Sequence, residues 1–117
     1  MVEGMKQNVD NIEEAPKLEW GPELGEMSWD DAQDKLVELN GRLKGKKPWR
    51  LPTIKELEKG MGEQFHWKKK LGFKSDISYW SSSGLNDSYI WFSVYTNGSL
   101  DSFNTTRDQK KLIRCVR

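Results

Sequence analysis

The chain has 117 residues, of which 35% are hydrophobic and 32% charged, with a net charge of +1 and one cysteine. This length predicts a single domain that buries a core without metals or disulfides, and the lone Cys115 excludes an internal disulfide. No stretch is apolar enough to span a bilayer, and residues 1–14 lack the apolar run of a signal peptide. These features predict a protein that is made in the cytoplasm and does not insert into membranes; its final location stays open.

The net charge hides an internal polarity. Residues 1–26 hold seven acids and two lysines, a net charge of −5, whereas residues 42–74 hold eleven bases and three acids, a net charge of +8. A basic middle segment attracts phosphate or an acidic glycan. The alternative interpretation, which we favour, is a solvated loop that balances the acidic N-terminus.

The first elements in chain order are short. Residues 1–16 are predicted to form a flexible arm, and the ligand-binding domain is predicted to span residues 17–117. Alternation in residues 17–20 (K-L-E-W) predicts a first strand, and the G-P-E-L-G run at 21–25 predicts a turn.

Two amphipathic helices follow. Ser28 is a good N-cap, with Asp31 in the position of a capping box, and Asn40-Gly41 ends that helix. Thr53 caps a second helix, with Glu56 at the reciprocal position. Gly60 and Gly62 are expected to weaken its end. The segment 63–74 is basic, aromatic and without regular periodicity.

The last third of the chain predicts β structure. The dipeptide Asn97-Gly98 is a strong signal for a type I′ hairpin turn, because both central positions of that turn need a positive φ. Helices first and strands later indicate an α+β fold, with two helices packed on a mainly antiparallel twisted sheet. The candidate strands are 77–80, 90–95, 99–103 and 112–116.

Residues 75–108 also have an unusual composition. They contain no Lys, Glu, Gln or Met, and 22 of these 34 residues are Ser, Thr, Asn, Asp or Tyr. This is the composition of a paratope, in which Tyr provides rigid contacts and short polar residues provide adaptable hydrogen bonds. Composition alone leaves a β-rich half with polar turns equally open.

Five strings in this order resemble a prokaryotic domain that also forms the C-terminal part of a collagen-like bacterial adhesin. They are S-W-D-D-A (28–32), W-R-L-P-T-x-x-E-L (49–57), Y-W-S-S-S (79–83), I-W-x-x-x-Y-x-N-G (90–98) and I-R-C-V-R (113–117). The resemblance covers residues 17–117 and implies a C-type lectin-like fold. The same family supplies variable proteins of diversity-generating retroelements, in which a reverse transcriptase rewrites adenine-rich codons. Such rewriting cannot produce Lys, Glu, Gln, Met or Trp, which fits residues 75–108 except at Trp80 and Trp91.

The resemblance divides the C-terminal third, with a variable region at about 79–113, into scaffold and ligand-binding positions. The scaffold positions are Tyr79, Trp80, Ser81, Ser82, Trp91, Gly98, Arg114, Cys115 and Val116. The ligand-binding positions are Asn86, Asp87, Ser88, Tyr89, Phe92, Val94, Thr96, Asn97, Ser99, Asp101, Ser102, Phe103, Asn104, Thr105 and Thr106.

Alternation places Trp91, Ser93 and Tyr95 on one face of a strand and Phe92 and Val94 on the other. If the first face lies on the core, Phe92 and Val94 are exposed, as in a binding hot spot. Ser93 is small and polar, so its side chain leaves this assignment open.

Other chemistries find little support in the sequence. No Pro-containing tripeptide or dense acidic cluster offers the six to eight oxygens that calcium prefers, and the single His66 cannot build a usual zinc site. Cys115 is expected to be a buried small residue rather than a nucleophile. Ser81–Ser83 lack a G-x-S-x-G context and are expected to bond turn backbone. Trp67 beside three lysines is compatible with stacking on nucleobases, but also with a loop anchor, so nucleic acid is kept only as an alternative partner.

The sequence therefore predicts a receptor-like binding protein that is not an enzyme and uses no cofactor or metal. Its partner is predicted to be a protein or carbohydrate surface, with oligomerisation possible. The alternative is an adhesive domain of fixed specificity that binds an acidic glycan through its basic loops.

Overall fold

The computed structural model describes residues 18–43, 45–64 and 71–117. The elements in chain order are β1 (Trp20–Met27), α1 (Trp29–Asn40), α2 (Ile54–Gln64), β2 (Ser78–Gly84), β3 (Tyr89–Thr96), β4 (Ser99–Thr106) and β5 (Lys111–Val116). The strands form one sheet in the order β1-β5-β2-β3-β4, in which only β2 and β5 are parallel. The predicted α+β fold, with two helices on a mainly antiparallel sheet, is confirmed. The predicted arm at 1–16, together with His66 and Trp67, lies outside the described residues.

Both predicted helix starts are confirmed. The Ser28 hydroxyl accepts a hydrogen bond from the Asp31 amide at 3.1 Å. Thr53 and Glu56 form a reciprocal capping box, with the Glu56 amide donating to the Thr53 hydroxyl at 3.2 Å and the Thr53 amide donating to the Glu56 carboxylate at 2.9 Å. These bonds satisfy amides that have no partner inside the helix.

The helices lie on opposite faces of the sheet. Ala32 and Leu36 of α1 belong to a core cluster that includes Trp80, Ile90 and Ile113. A second cluster on the other face combines Leu57 and Met61 of α2 with Phe73 and Tyr79. Because successive strand residues point to opposite faces, Tyr79 and Trp80 are both fully buried, one in each cluster. The middle of the sheet is therefore covered on both sides.

The predicted turn at 21–25 is wrong, because these residues lie inside β1. Pairing of β1 with β5 changes register between Trp20 and Glu23 and again between Glu23 and Glu26. Gly25 has a φ of +107°, which other residues rarely adopt. Proline and glycine therefore lie at irregularities of an edge strand here. Both residues are also common in turns, so their presence alone does not distinguish a turn from an irregular strand.

The second helix continues through both glycines that were expected to weaken it. A Cβ added to Gly60 would lie 2.6 Å from Cζ2 of Trp20, so the missing side chain lets the indole ring lie against the helix. Close packing thus explains a residue that helix propensity alone disfavours.

The hairpin of β3 and β4 is the most regular part of the sheet. Asn97 and Gly98 have φ values of 53° and 78°, so the predicted turn with two positive φ angles is confirmed. The strands then pair without a bulge from Thr96 and Ser99 to Tyr89 and Thr106. This regular pairing fixes which side chains share a face.

Candidate functional site

One face of the β3–β4 hairpin carries a surface that we call the open face. It lies on the α1 side of the sheet, beyond the part of the sheet that α1 covers. The register places cross-strand neighbours there, such as Phe92 beside Phe103 and Val94 beside Asp101. The open face comprises Phe92, Val94, Thr96, Ser99, Asp101, Phe103 and Thr105, all of them predicted ligand-binding residues.

An aromatic row crosses this surface from the core outward. Trp80 is fully buried, and its ring centroid lies 6.4 Å from that of Phe92 in an edge-on arrangement. The Phe92 ring is half-buried and lies 5.9 Å from the ring of Phe103, which is 51% exposed. Exposure therefore increases from β2 to β4, and the outermost ring presents apolar area to solvent.

Lys111 of β5 completes the row. Its amine lies 3.7 Å from the Phe92 ring centroid and 5.6 Å from that of Trp80, within the range of a cation–π interaction. Burial lowers the pKa of Lys111, and the charge of Glu26 opposes this effect. Sequence reasoning missed Lys111. Alternation back from the buried Ile113 and Cys115 would have placed it on this face.

Phe92 and Val94 are half-buried rather than exposed. Phe92 lies between Trp80, Phe103 and the Lys111 amine, so its neighbours on the face cover much of its ring. Ser93 is fully buried on the α2 side of the sheet, so the face of β3 that carries Ser93 does lie on the core.

Four predicted ligand-binding residues lie on the α2 side of the hairpin instead. Tyr89 pairs with Thr106, and Asn104 and Ser102 pair with Trp91 and Ser93. The Ser102 hydroxyl donates to the Glu58 carboxylate of α2 at 2.6 Å and lies 2.7 Å from the Ser93 hydroxyl. Ser102 therefore joins the hairpin to α2, and the structure does not bring it together with Phe103.

The remaining predicted residues form two turns at the ends of the hairpin. Asn97 lies in the β3–β4 turn. In the loop that precedes β3, the Asn86 side-chain oxygen accepts the amides of Ser88 and Tyr89 at 2.8 and 3.0 Å. Such a turn gives the loop one conformation without help from secondary structure. Asp87 is exposed in the same loop.

Arg107 holds this loop against α1, a role that the sequence did not indicate. Its guanidinium donates to the Asp87 carbonyl at 2.7 Å and to the Asp30 carboxylate at 3.1 Å. It also lies 5.0 Å from the centroid of the Trp29 ring. These partners are distant in the chain, so no local spacing reveals the contact.

The described residues offer little reactive chemistry. They contain no group of three or more His, Cys, Asp or Glu side chains placed to hold a metal ion. Cys115 is 2% exposed, and burial raises the pKa of its thiol to about 11, which confirms the buried small residue that was predicted. Ser81 donates to the Trp91 carbonyl at 2.8 Å, and Ser83 accepts the Ile54 amide at 2.9 Å. These two serines therefore bond backbone, but it is the backbone of β3 and of the start of α2 rather than the turn backbone that was predicted.

The sheet, the two flanking helices and the regular hairpin with its open face define a C-type lectin-like domain. The chain matches the family described as the Lcl C-terminal domain over residues 9–117, and it belongs to that family. This is the family that the sequence motifs indicated. A search of curated proteins found no match. Within the described part of the chain, no helix has the length and apolar character needed to cross a membrane.

Proposed function

We propose that this domain binds a ligand through the open face, that the ligand is the surface of a protein or a glycan, and that the domain is not an enzyme. The observation that carries the proposal is the Phe92–Phe103 pair, in which an aromatic ring that is 51% exposed stands among short polar side chains. A partly exposed aromatic with a polar rim is typical of binding hot spots. The rigid sheet beneath it limits the entropy that is lost on binding.

We further propose that a diversity-generating retroelement varies this face. The restricted composition of residues 75–108 supports the proposal, and so does the arrangement of seven candidate positions on one surface. Their side chains can vary with little effect on the core, because the core clusters contain few of them.

The experiment that tests diversification is deep sequencing of the 3′ end of this gene across its natural population. Substitutions confined to codons of about 86–106, at sites of template adenine and with the third base intact, would support it. A uniform 3′ end would eliminate diversification. The ligand-binding role is tested independently of this result, by measuring binding to the Phe103→Ala variant.

The alternative role, binding of an acidic glycan through the basic loops, receives less support from the geometry. Arg42 pairs with Glu38 at 3.2 Å, and Arg50 pairs with Glu56 at 2.8 Å. A base that is already paired gains less from an anionic ligand than a free one. Lys46 and Lys47 are exposed and make no ion pair within the described residues.

The two roles predict different effects of replacing the lysines on binding to heparin. Replacing Lys46 and Lys47 by glutamine would greatly weaken binding to immobilised heparin, with strong salt dependence, if the basic loops bind the ligand. Replacing Phe103 by alanine would leave that binding unchanged. We expect heparin to bind weakly to the unaltered domain, so that neither replacement matters.

A further inference from the structure

The two edges of the sheet are built differently. β1, at one edge, contains Pro22 and the charged residues Glu23 and Glu26, and its pairing changes register twice. These are devices by which proteins prevent another strand from adding to a sheet edge. The edge at β1 is therefore protected.

β4, at the other edge of the described sheet, has none of these devices. It has eight residues, pairs with β3 at every position without a bulge, and contains no proline, glycine, lysine or arginine. Asp101 is its only charged residue. A long regular edge with one charge is a template for strand addition.

The register shows which backbone groups of β4 are free to pair. In a hairpin with a two-residue turn, the residues that flank the turn bond each other, and every second pair after them does so as well. Thr96 and Ser99 flank the turn, so the amides and carbonyls of Asp101 and Phe103 point toward β3. Those of Leu100, Ser102 and Asn104 point away from the sheet.

We propose that β4 binds an extended segment of a partner protein as a sixth strand, in which an apolar side chain next to Phe103 stands two positions from a basic side chain next to Asp101. This inference rests on the proposed ligand-binding role and names the manner of binding and the partner. Residues two apart on a strand share a face, so both partner side chains lie beside the open face. The backbone of β4 can pair with any extended segment, and contacts with the side chains of the open face then determine which segments bind.

Charge favours a foreign segment over a second copy of this chain. Asp101 is exposed and makes no ion pair with any described residue. β4 contains no base, so pairing two copies through β4 leaves both Asp101 carboxylates without a cation from the added strand. A foreign strand with a lysine or arginine at that position supplies one.

The test uses a synthetic peptide of about ten residues that alternates threonine with lysine and valine, so that lysine and valine stand two positions apart. NMR measures amide hydrogen exchange in the whole protein with and without the peptide. We expect the amides of Leu100, Ser102 and Asn104 to exchange fast in the free protein and slowly with about 1 mM peptide. The amides of Asp101 and Phe103, bonded to β3, serve as internal controls and should be protected in both states.

Two matched changes separate backbone pairing from other binding. N-methylation of the peptide at every second residue removes the donors for β4, and we expect it to weaken binding by about tenfold or more. Asp101→Asn should weaken binding of the lysine peptide by about two- to fivefold. It should not weaken binding of a peptide in which glutamate replaces each lysine. Neither change disturbs the folding of the sheet.

Several outcomes would overturn strand addition. These are slow exchange of Leu100, Ser102 and Asn104 in the free monomer, no protection by the peptide, equal binding of the N-methylated peptide, or dimerisation through β4. The role of the open face is tested separately, with a peptide selected from a phage-displayed library on the unaltered domain. If Phe103→Ala abolishes that binding while β4 amides stay unprotected, the proposed function stands and strand addition fails. If β4 amides stay unprotected and Phe103→Ala has no effect on peptide binding, both strand addition and the proposed function fail.

Discussion

Replacing Arg114 by methionine is the sharpest test of what holds the scaffold beneath the open face together. Arg114 is 6% exposed, and its guanidinium donates to the Gly21 carbonyl at 2.8 Å and also to the Leu71 carbonyl. It lies 4.7 Å from the centroid of the Phe73 ring. One side chain of β5 thereby joins β1 and the segment that precedes β2.

The expected loss follows from these contacts. Two buried carbonyls without a donor cost about 1–3 kcal/mol each, and the lost cation–π interaction costs about 1–2 kcal/mol more. Methionine recovers part of this lost free energy, because folding then no longer removes a cation from water. The same desolvation lowers the pKa of Arg114. We therefore expect Arg114→Met to reduce the free energy of unfolding by about 3 kcal/mol and the Tm by roughly 10 °C.

Urea unfolding followed by tryptophan fluorescence measures this difference. Arg42→Met is the matched control, because the Arg42 side chain is 73% exposed and pairs only with Glu38 on the surface of α1. That control should lose less than about 1 kcal/mol. An Arg114→Met protein that is as stable as the control, or more stable than the unaltered domain, would refute the assigned role of Arg114.

Three further predictions concern the face, its loop and the core. Phe103→Ala should weaken binding of a library-selected peptide by at least about tenfold, since about half the ring is still free to be buried; the exposed Val37→Ala should leave titrations by calorimetry unchanged. Asn86→Ala should lower the free energy of unfolding by about 1 kcal/mol and speed amide exchange at Ser88, whereas unchanged exchange would contradict the turn. Burial raises the pKa of the Cys115 thiol to about 11, so the unfolded thiol ionises first and stability should fall as pH rises from 9 to 11. Cys115→Ala should reduce that fall in urea titrations at the two pH values, and an identical fall would exclude the thiol as a cause.

Local chemistry made much of the scaffold predictable. Ser28 and Thr53 begin their helices because a hydroxyl at that position bonds amides that the helix leaves free. Asn97-Gly98 sets the hairpin because few other pairs adopt two positive φ angles. Once the turn is fixed, alternation assigns the two faces of β3, and the buried Ser93 agrees with it.

Contacts between distant segments were not predictable in the same way. Pro22 and Gly25 occur in turns and in irregular edge strands alike, and only pairing with β5 decides between the two. Arg107 contacts Asp30 and Asp87, and no spacing in the sequence brings these residues together. The candidate site was likewise predicted as one group, because the motif match follows the chain and takes no account of the alternation of β4.

That alternation yields a prediction for natural variation in β4. Asp101, Phe103 and Thr105 point to the open face, whereas Ser102 donates to Glu58 of α2 at 2.6 Å and contacts the buried Ser93. A larger residue at position 102 would separate α2 from the sheet, and an apolar one would leave the Glu58 carboxylate without its donor. If the face is diversified, sequencing of natural variants should show broad substitution at 101, 103 and 105, and small hydroxyl residues at 102. Equal variation at all four positions would contradict the division into an open and a covered face, even if the retroelement hypothesis were correct.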